Sequence, residues 1–258
     1  KKVLESKNTN KIIQLLERSL RPVIISGGGI RYSKSVKVFN KLVTKLKVPI
    51  VTTWSGIDTI DYNNKYYIGH IGVYGSRSGN FTIQNSDLIL SLGSRLDTRI
   101  TSTRPSTFGR KAKLIMVDVD KGELSKRRGL RPFIEINKDA GIFVEKILSK
   151  INRKKFKISS DHKNWLKKTK IWKNKYPTSS KKFSISDKYV NPYIFVDELS
   201  QQLNKTDVII PDDGAHLTWF MQAFKTKLGQ RIFSAFGNSP MGYSFPASIG
   251  ASIALGRK

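Results

Sequence analysis

The loop from Gly93 to Arg99 (GSRLDTR) combines charged residues whose spacing suits phosphate binding. Two arginines, Arg95 and Arg99, stand on either side of Asp97, directly after an apolar run that ends at Leu92. A guanidinium can donate two parallel hydrogen bonds to a phosphate, and a carboxylate between two guanidiniums could fix their orientation. The spacing therefore predicts a clasp for a pyrophosphate. A solvated loop with a surface ion pair, which would contribute little to stability, is the alternative.

Two other segments of the first half also follow apolar runs. The triplet Gly27–Gly29 would let backbone amides approach a phosphate at a helix N-terminus. Its spacing matches neither the dinucleotide nor the P-loop glycine pattern, so a plain tight turn is an equal alternative. The segment Asp118–Asp120 places a carboxylate where a ribose hydroxyl could bind, or where a helix could be capped before Glu123.

The second half offers two loops with chemical potential. Asp212–His216 (DDGAH) lies at a predicted strand-to-helix turn, where a histidine behind glycine can hold an anion, although a lone histidine is more often structural. Met241 follows in the segment Asn238–Ala247 (NSPMGYSFPA). Methionine usually fills gaps in a core, but a methionine between proline and glycine in a loop indicates a specific role.

The elements that must position these loops follow an alternating pattern. Short β-branched runs at 22–26, 48–52, 88–92 and 114–117 alternate with longer helical patterns, which is typical of a parallel sheet covered by helices. In such sheets, ligands bind at the carboxyl ends of the strands. A helix over 139–151 is predicted to bury Ile142, Phe143, Ile147 and Leu148. The fold class is therefore α/β, with two doubly wound parallel-sheet units.

Composition divides the chain into four segments. Residues 1–19 are predicted to be the tail of a preceding linker, 20–152 the first α/β domain, 153–188 a lysine-rich linker and 189–258 part of a second α/β domain. From Lys146 to Lys188 there are 15 Lys or Arg and two Asp. One helix is expected in this stretch, over 161–176, with Trp165, Ile171 and Trp172 docked on a neighbour.

Overall composition excludes several classes of protein. The chain has 258 residues and no cysteine, which excludes disulfide scaffolds and thiolate metal sites. Mean hydropathy is -0.35, and no membrane span or signal peptide is visible, so we predict a cytoplasmic protein. The net charge of +28 makes nucleic acid a candidate partner. No nucleic-acid-binding motif occurs, so this partner is the less favoured alternative. An NAD-dependent dehydrogenase is disfavoured by the missing glycine pattern.

The segments Gly93–Ile100 and Met241–Gly250 (MGYSFPASIG) carry a family resemblance. Together with the stretches around them, from Arg21 to Arg257, they resemble the central and C-terminal domains of thiamine diphosphate enzymes of the acetolactate synthase family. The resemblance implies a central nucleotide-binding domain and a partial thiamine diphosphate-binding domain. It implies decarboxylation and carboligation of 2-oxo acids, in a homodimer or homotetramer. A thiamine diphosphate lyase or decarboxylase is an alternative.

The resemblance also implies contact residues for an adenine nucleotide, FAD or ADP, in the central domain. Gly72–Gly75 reads Gly-Val-Tyr-Gly where acetolactate synthases usually have Gly-Met-His-Gly, so we expect an altered flavin contact, and a central domain with ADP or no nucleotide is an alternative. The positions that match the family's contacts are Gly28, Gly29, Thr53, Trp54, Gly93, Arg95, Asp97, Arg99, Ile100, Asp118, Val119, Asp139 and Ala140.

In the second domain, the resemblance implies that Gly214, Ala215 and His216 hold the phosphates of thiamine diphosphate. Ala215 replaces a common glutamine, which removes one hydrogen bond. Met241 matches the residue that props the cofactor into its bent form, and it is the one catalytic position assigned to this chain. The catalytic glutamate is expected before residue 1 and the Mg²⁺ loop beyond Lys258, so the stretch alone is expected to be inactive.

Overall fold

A computed structural model gives the structure of the chain and describes residues 2–126, 129–180 and 188–256. The chain divides into two compact units. The first unit comprises residues 1–59 and 65–176, and the second comprises residues 60–64 and 177–258. None of the helices in the described ranges is both long and apolar enough to cross a lipid bilayer.

The first unit is built on a sheet of six parallel strands, which confirms the predicted α/β class. In space the strands run β3-β2-β1-β4-β5-β6, so the chain moves outward from β1 in one direction and returns to pair β4 on its other side. This reversal creates a topological switch point between β1 and β4, where open α/β sheets bind ligands. The strands are β1 (Pro22–Ser26), β2 (Ile50–Thr52), β3 (Tyr67–His70), β4 (Leu88–Leu92), β5 (Lys113–Asp118) and β6 (Ile134–Asn137).

Helices cover the sheet of the first unit in two groups. They are α1 (Lys2–Arg18), α2 (Gly29–Tyr32), α3 (Val36–Leu46), α4 (Arg77–Asn85), α5 (Thr98–Thr101), α6 (Lys121–Lys126), α7 (Ala140–Arg153) and α8 (Ser160–Lys175), with 3₁₀ turns at Trp54–Thr59 and Pro105–Thr107. Helix α3 packs against α7, and α4 packs against α8. Strands β1 to β4 are entirely buried and β5 nearly so, which explains their apolar runs, whereas the edge strand β6 alternates half-buried and exposed residues.

Helix α7 forms where the sequence predicts a helix, but with a different buried face. Phe143 and Ile147 are buried as expected, whereas Ile142 is 53% exposed. Val144 and Ile151 are buried instead. The reason is the helical period: residues 143, 144, 147 and 151 share one stripe, and position 142 falls outside it.

The helix predicted within the lysine-rich segment also forms, as α8, and it belongs to the first unit. The Ser159 side chain and His162 form a capping box at its start. Trp165 is buried, and its indole N–H donates to the carbonyl oxygen of Pro22 at 3.0 Å. Ile171, which was predicted to dock, is 53% exposed. Residues 181–187 of this segment lie outside the described residues, and the functional domain boundaries stay a prediction.

The second unit is smaller and carries its own parallel strand pair. Its elements are α9 (Pro192–Gln202), β7 (Val208–Ile209), α10 (Ala215–Ala223), β8 (Arg231–Ile232) and α11 (Ser244–Ala254). Strands β7 and β8 pair in parallel, with Val208 opposite Arg231. The Asn191 side chain caps α9 by accepting a hydrogen bond from the N–H of Tyr193 at 2.9 Å. Residues 60–64 join this unit, since the N–H of Tyr62 donates to Thr226.

Candidate functional site

The parallel topology of the first unit gathers the predicted nucleotide contacts at one edge of the sheet. Every one of them lies at or just beyond the carboxyl end of a strand: Gly28 and Gly29 after β1, Thr53 and Trp54 after β2, Gly93, Arg95, Asp97, Arg99 and Ile100 after β4, Asp118 and Val119 at β5, and Asp139 and Ala140 after β6. Because parallel strands end on the same side, residues far apart in sequence share this edge.

The glycine triplet packs backbone to backbone against the loop after β4. The N–H of Gly29 donates to the carbonyl oxygen of Gly93 at 3.0 Å. A Cβ on Gly29 would lie 2.6 Å from the Cα of Gly93, and a Cβ on Gly27 would overlap the Gly93 carbonyl oxygen. The glycines therefore allow two loops to meet at the switch point, which gives the tight-turn interpretation a direct physical basis.

The arginines of the loop after β4 contact different neighbours. The guanidinium of Arg99 lies 5.9 Å from the ring centre of Trp54, which itself stacks on Tyr74 at 6.0 Å. Arg95 instead lines a small cavity that includes Glu123 of α6. The sequence predicts that both guanidiniums turn toward one pyrophosphate, and this stays a prediction; the neighbours seen here are Trp54 for Arg99 and Glu123 for Arg95.

The Asp97 carboxylate acts as a helix cap. It accepts a hydrogen bond from the backbone N–H of Arg99 at 3.0 Å, and it thereby starts α5. We expected this carboxylate to orient the guanidiniums, but its hydrogen bond goes to the backbone. A short polar side chain at a helix start satisfies an N–H that has no acceptor within the helix.

The remaining predicted contacts of the first unit differ in burial and in local role. The carboxylate of Asp118 accepts from the N–H of Asp120 at 2.9 Å, and burial raises the pKa of Asp118. Asp139 caps α7 by accepting from Gly141 and Ile142. Ala140 is buried, and Val119 is 70% exposed. Helix capping, the alternative considered for the segment Asp118–Asp120, is observed at Asp120, whose carboxylate accepts from the N–H groups of Gly122 at 2.7 Å and Glu123 at 3.3 Å at the start of α6.

The loop 72–75, where the sequence departs from its family, is fixed by two side chains that sequence reasoning missed. The Asn80 amide donates to the carbonyl oxygen of Gly72 at 2.9 Å and accepts from its N–H at 3.1 Å. The Nε2–H of His70 donates to the carbonyl oxygen of Tyr74 at 3.1 Å. Burial lowers the pKa of His70 to about 4, so the ring is neutral at physiological pH.

A cavity of about 410 Å³ lies beside this loop in the first unit. Gly72, Val73 and Asn80 line it together with Ile100 and Thr101. Its volume falls within the range of small-molecule pockets, about 300–1,000 Å³. The cavity therefore offers space next to the predicted nucleotide contact Ile100.

A buried ion pair below the glycine triplet was also absent from the sequence predictions. The Nε of Arg31, on α2, lies 3.2 Å from the carboxylate of Asp58, whose side chain is fully buried. A second guanidinium nitrogen donates to the carbonyl oxygen of Asp58. The pair joins the turn after β1 to the turn after β2. The 27-residue separation of its partners follows no local pattern that could have revealed it.

In the second unit, the residues predicted to hold phosphates lie exposed at the start of α10. Gly214 has φ +145°, which favours glycine, and a Cβ there would lie 2.9 Å from the imidazole Cε1 of His216. Ala215 and His216 occupy the first turn of the helix. The N–H groups of a first turn point outward without helical acceptors, which suits an anion.

Met241 lies in the loop before α11 and is 85% exposed. The loop is tied to the α10 loop by Asp212, a residue that the sequence predictions did not assign to the site. Its carboxylate accepts from the N–H of Gly242 at 2.7 Å and from the N–H of Ser244 at 3.2 Å. The pKa of Asp212 is lowered, mainly by the hydrogen bond that the N–H of Gly242 donates to its carboxylate.

The chemistry of these second-unit residues is compatible with thiamine diphosphate. Gly214 has no Cβ to crowd the start of α10, and the side chain of Met241 is exposed. For Mg²⁺, the described residues contain no group of three or more His, Cys, Asp or Glu that could hold a metal ion.

Comparison with known proteins identifies the family of the chain. Residues 9–147, more than half of the chain, match the family model for the central domain of thiamine pyrophosphate enzymes. The acetolactate synthase large subunit of Lactococcus lactis is 29% identical over 248 residues, which is 96% of this chain and 41% of that protein. The large subunit of Cyanidium caldarium is 31% identical over 245 residues, 95% of this chain and 40% of that protein.

A probable acetolactate synthase large subunit of Methanococcus aeolicus is 29% identical over 255 residues and is covered to 42% of its length. The chain thus spans about two fifths of the relatives it matches. The resemblance predicted from the loops at Gly93 and Met241 is confirmed, and the chain belongs to the thiamine pyrophosphate enzyme family.

Proposed function

We propose that the protein catalyses a thiamine diphosphate-dependent reaction of 2-oxo acids, with decarboxylation and carboligation as in acetolactate synthases. The observation that carries this proposal is the second-unit site, in which Asp212 ties the exposed Met241 loop to the loop that begins α10. Family membership and the similarity to acetolactate synthase large subunits support it.

When bound, thiamine diphosphate supplies a nucleophilic carbon that adds to the substrate carbonyl and accepts the electrons released with carbon dioxide. The chain's own residues bind and shape it. The first turn of α10, with Ala215 and His216, would hold the diphosphate through N–H groups and the helix dipole. The exposed side chain of Met241 would act sterically, as a bulky apolar support that keeps the cofactor bent.

The first unit would hold an adenine nucleotide at the switch point between β1 and β4. FAD is the first candidate, with Arg99 and Trp54 beside it. A lyase or decarboxylase with ADP or no nucleotide is the second candidate. It is favoured by one observation: Tyr74 stacks on Trp54 in the loop where the flavin contact of the family is altered.

The proposal extends to assembly and location. It includes a homodimer or homotetramer, a cytoplasmic location, and Mg²⁺ as the counter-ion of the diphosphate, since hard cations bind phosphate oxygens. Each of these rests on the family resemblance.

Activity of the full-length protein tests the proposed function. Pyruvate, thiamine diphosphate and Mg²⁺ should together give carbon dioxide and a ligated product, and omission of thiamine diphosphate should abolish both. Met241→Ala should lower kcat about a hundredfold, because a loosely held cofactor loses its reactive geometry. Met241→Leu, which keeps the apolar bulk, is the matched control and should retain most activity.

The absorbance spectrum of the purified protein separates the two candidates for the first unit. A bound flavin absorbs visible light, whereas ADP does not. Failure of both 2-oxo acid turnover and thiamine diphosphate binding in the full-length protein would contradict the proposed function.

A further inference from the structure

Two loops of the second unit converge on one carboxylate. Asp212 follows β7 and precedes the glycine that starts α10, so it belongs to the loop of the predicted phosphate contacts. Its carboxylate reaches across 30 residues of sequence to the N–H of Gly242, directly after Met241. It also accepts from the N–H of Ser244, the first residue of α11.

We propose that Asp212 is a positioning residue that fixes the Met241 side chain relative to the phosphate-binding start of α10. This inference rests on the proposed function, because it assigns the two loops to opposite ends of one cofactor. Asp212 itself need not touch the cofactor, since its carboxylate is already directed to backbone N–H groups of the Met241 loop.

The backbone around Met241 explains why this loop needs a fixed anchor. Ser239 has φ +51° and Gly242 has φ +88°, so two residues near the methionine adopt the left-handed region. A Cβ on Gly242 would meet nothing within 4 Å, which shows that side-chain packing does not hold this point of the loop. The two hydrogen bonds to Asp212 therefore supply the constraint that packing leaves out.

Charge also favours this arrangement over a direct role in binding the cofactor. The hydrogen bonds keep Asp212 ionised, since they lower its pKa. An ionised carboxylate repels a diphosphate that it touches directly, whereas the N–H groups of Gly242 and Ser244 attract the carboxylate, so the charge favours a role in holding the Met241 loop. A carboxylate near a helix N-terminus is stabilised by the helix dipole.

The test compares Asp212→Asn with Asp213→Asn in the full-length protein. The control removes the same charge one residue away, so it reports the effect of charge alone. Asp212→Asn should weaken thiamine diphosphate binding about tenfold, because a charge-assisted hydrogen bond is lost. Inorganic diphosphate, which would contact only the α10 end, should bind equally well to both variants.

A double-mutant cycle tests the route of the effect. If Asp212 acts through Met241, then Asp212→Asn should weaken thiamine diphosphate binding little further in a Met241→Ala protein. Effects that multiply, or an Asp212→Asn protein that binds thiamine diphosphate as tightly as the parent, would overturn the inference.

Hydrogen exchange separates this inference from the proposed function. The amides of Gly242 and Ser244 should exchange at least tenfold faster in Asp212→Asn than in the parent, with β4 amides of the first unit unchanged as a folding control. If the parent binds no thiamine diphosphate, the proposed function fails, and the exchange rates still decide the anchor. Equal exchange in both proteins refutes it.

Discussion

In the first unit, buried contacts hold the loops at the sheet edge, whereas in the second unit the corresponding residues lie exposed and a single carboxylate joins two loops. Arg31 and Asp58 pair below the glycine triplet, and His70 anchors Tyr74 from a fully buried position. Ala215, His216 and Met241 are exposed. The loops of the first site are therefore anchored by buried side chains, although Arg95, Arg99 and Val119 are themselves exposed, while the second site depends on local backbone hydrogen bonds.

Because of this difference, substitutions at the two sites should affect different properties of the protein. A substitution at the first site should act on the free energy of unfolding, because its residues support the sheet. A substitution at the second site should act on cofactor binding and leave unfolding of the first unit unchanged. The following predictions test this contrast, from the largest expected effect to the smallest.

Replacement of Gly27 by alanine should be the most damaging change. The added Cβ would overlap the carbonyl oxygen of Gly93, a backbone atom that cannot move without separating β1 from β4. We expect a loss of about 4 kcal/mol in the free energy of unfolding. Urea unfolding followed by circular dichroism measures it. Gly250→Ala, in α11, meets nothing within 4 Å and should change stability by less than about 1 kcal/mol.

The stability of the first unit should fall as the pH is lowered from about 6.5 to 4. His70 is neutral in the folded protein at physiological pH, because burial lowers its pKa from the ordinary value of 6.5 to about 4. Between these values the unfolded chain binds more protons, so acid favours unfolding, by about 3 kcal/mol in total. His70→Asn removes the titration and should show a smaller pH dependence in urea unfolding. An identical pH dependence in both proteins would contradict this role.

Removal of Arg31 should cost about 2 kcal/mol of stability. The fully buried carboxylate of Asp58 would lose its ion pair, and the cost is below the usual range because Arg31 is partly exposed. Thermal unfolding of Arg31→Ala measures the loss. Arg110→Ala, an exposed arginine of the same unit, is the control and should change stability by less than about 0.5 kcal/mol. Equal effects of the two substitutions would show that the pair is not needed.

Loss of the α7 cap should have the smallest effect. Asp139→Ala removes the acceptor for the N–H groups of Gly141 and Ile142, at a cost of about 1 kcal/mol in the ligand-free protein. Asp139→Asn keeps an acceptor oxygen and should restore most of the stability in urea unfolding. If Asn is as harmful as Ala, the carboxylate serves something other than capping.

Much of the fold follows from local pattern. All five residues of β4, four of them apolar, are buried, and the helical stripe of α7 is predicted at Phe143 and Ile147. The prediction is wrong at Ile142 because the apolar face predicted for α7 is wider than the observed one. It is wrong at Ile171 because an apolar residue on a lysine-rich helix can remain in water.

The candidate sites were only partly predictable. Parallel strands end at one edge of a sheet, and this rule identified the loops that follow the strands as candidate sites. The contacts of individual side chains were not predicted: Asp97 caps α5, and Arg95 lines a small cavity with Glu123. Side-chain direction depends on rotamers and neighbours that spacing does not encode.

The sequence by itself determined four of the six strands of the first unit, the helices α7 and α8 and the family, because these depend on residues close together in the chain; it did not predict β3 and β6. Only the tertiary structure decided that Arg31 pairs with Asp58, that His70 holds Tyr74, and that Asp212 holds the Met241 loop. Arg31 and Asp58 are far apart in sequence, and so are Asp212 and the Met241 loop. Strand order and the paths of the loops bring such partners together, and a hydrophobic pattern specifies neither.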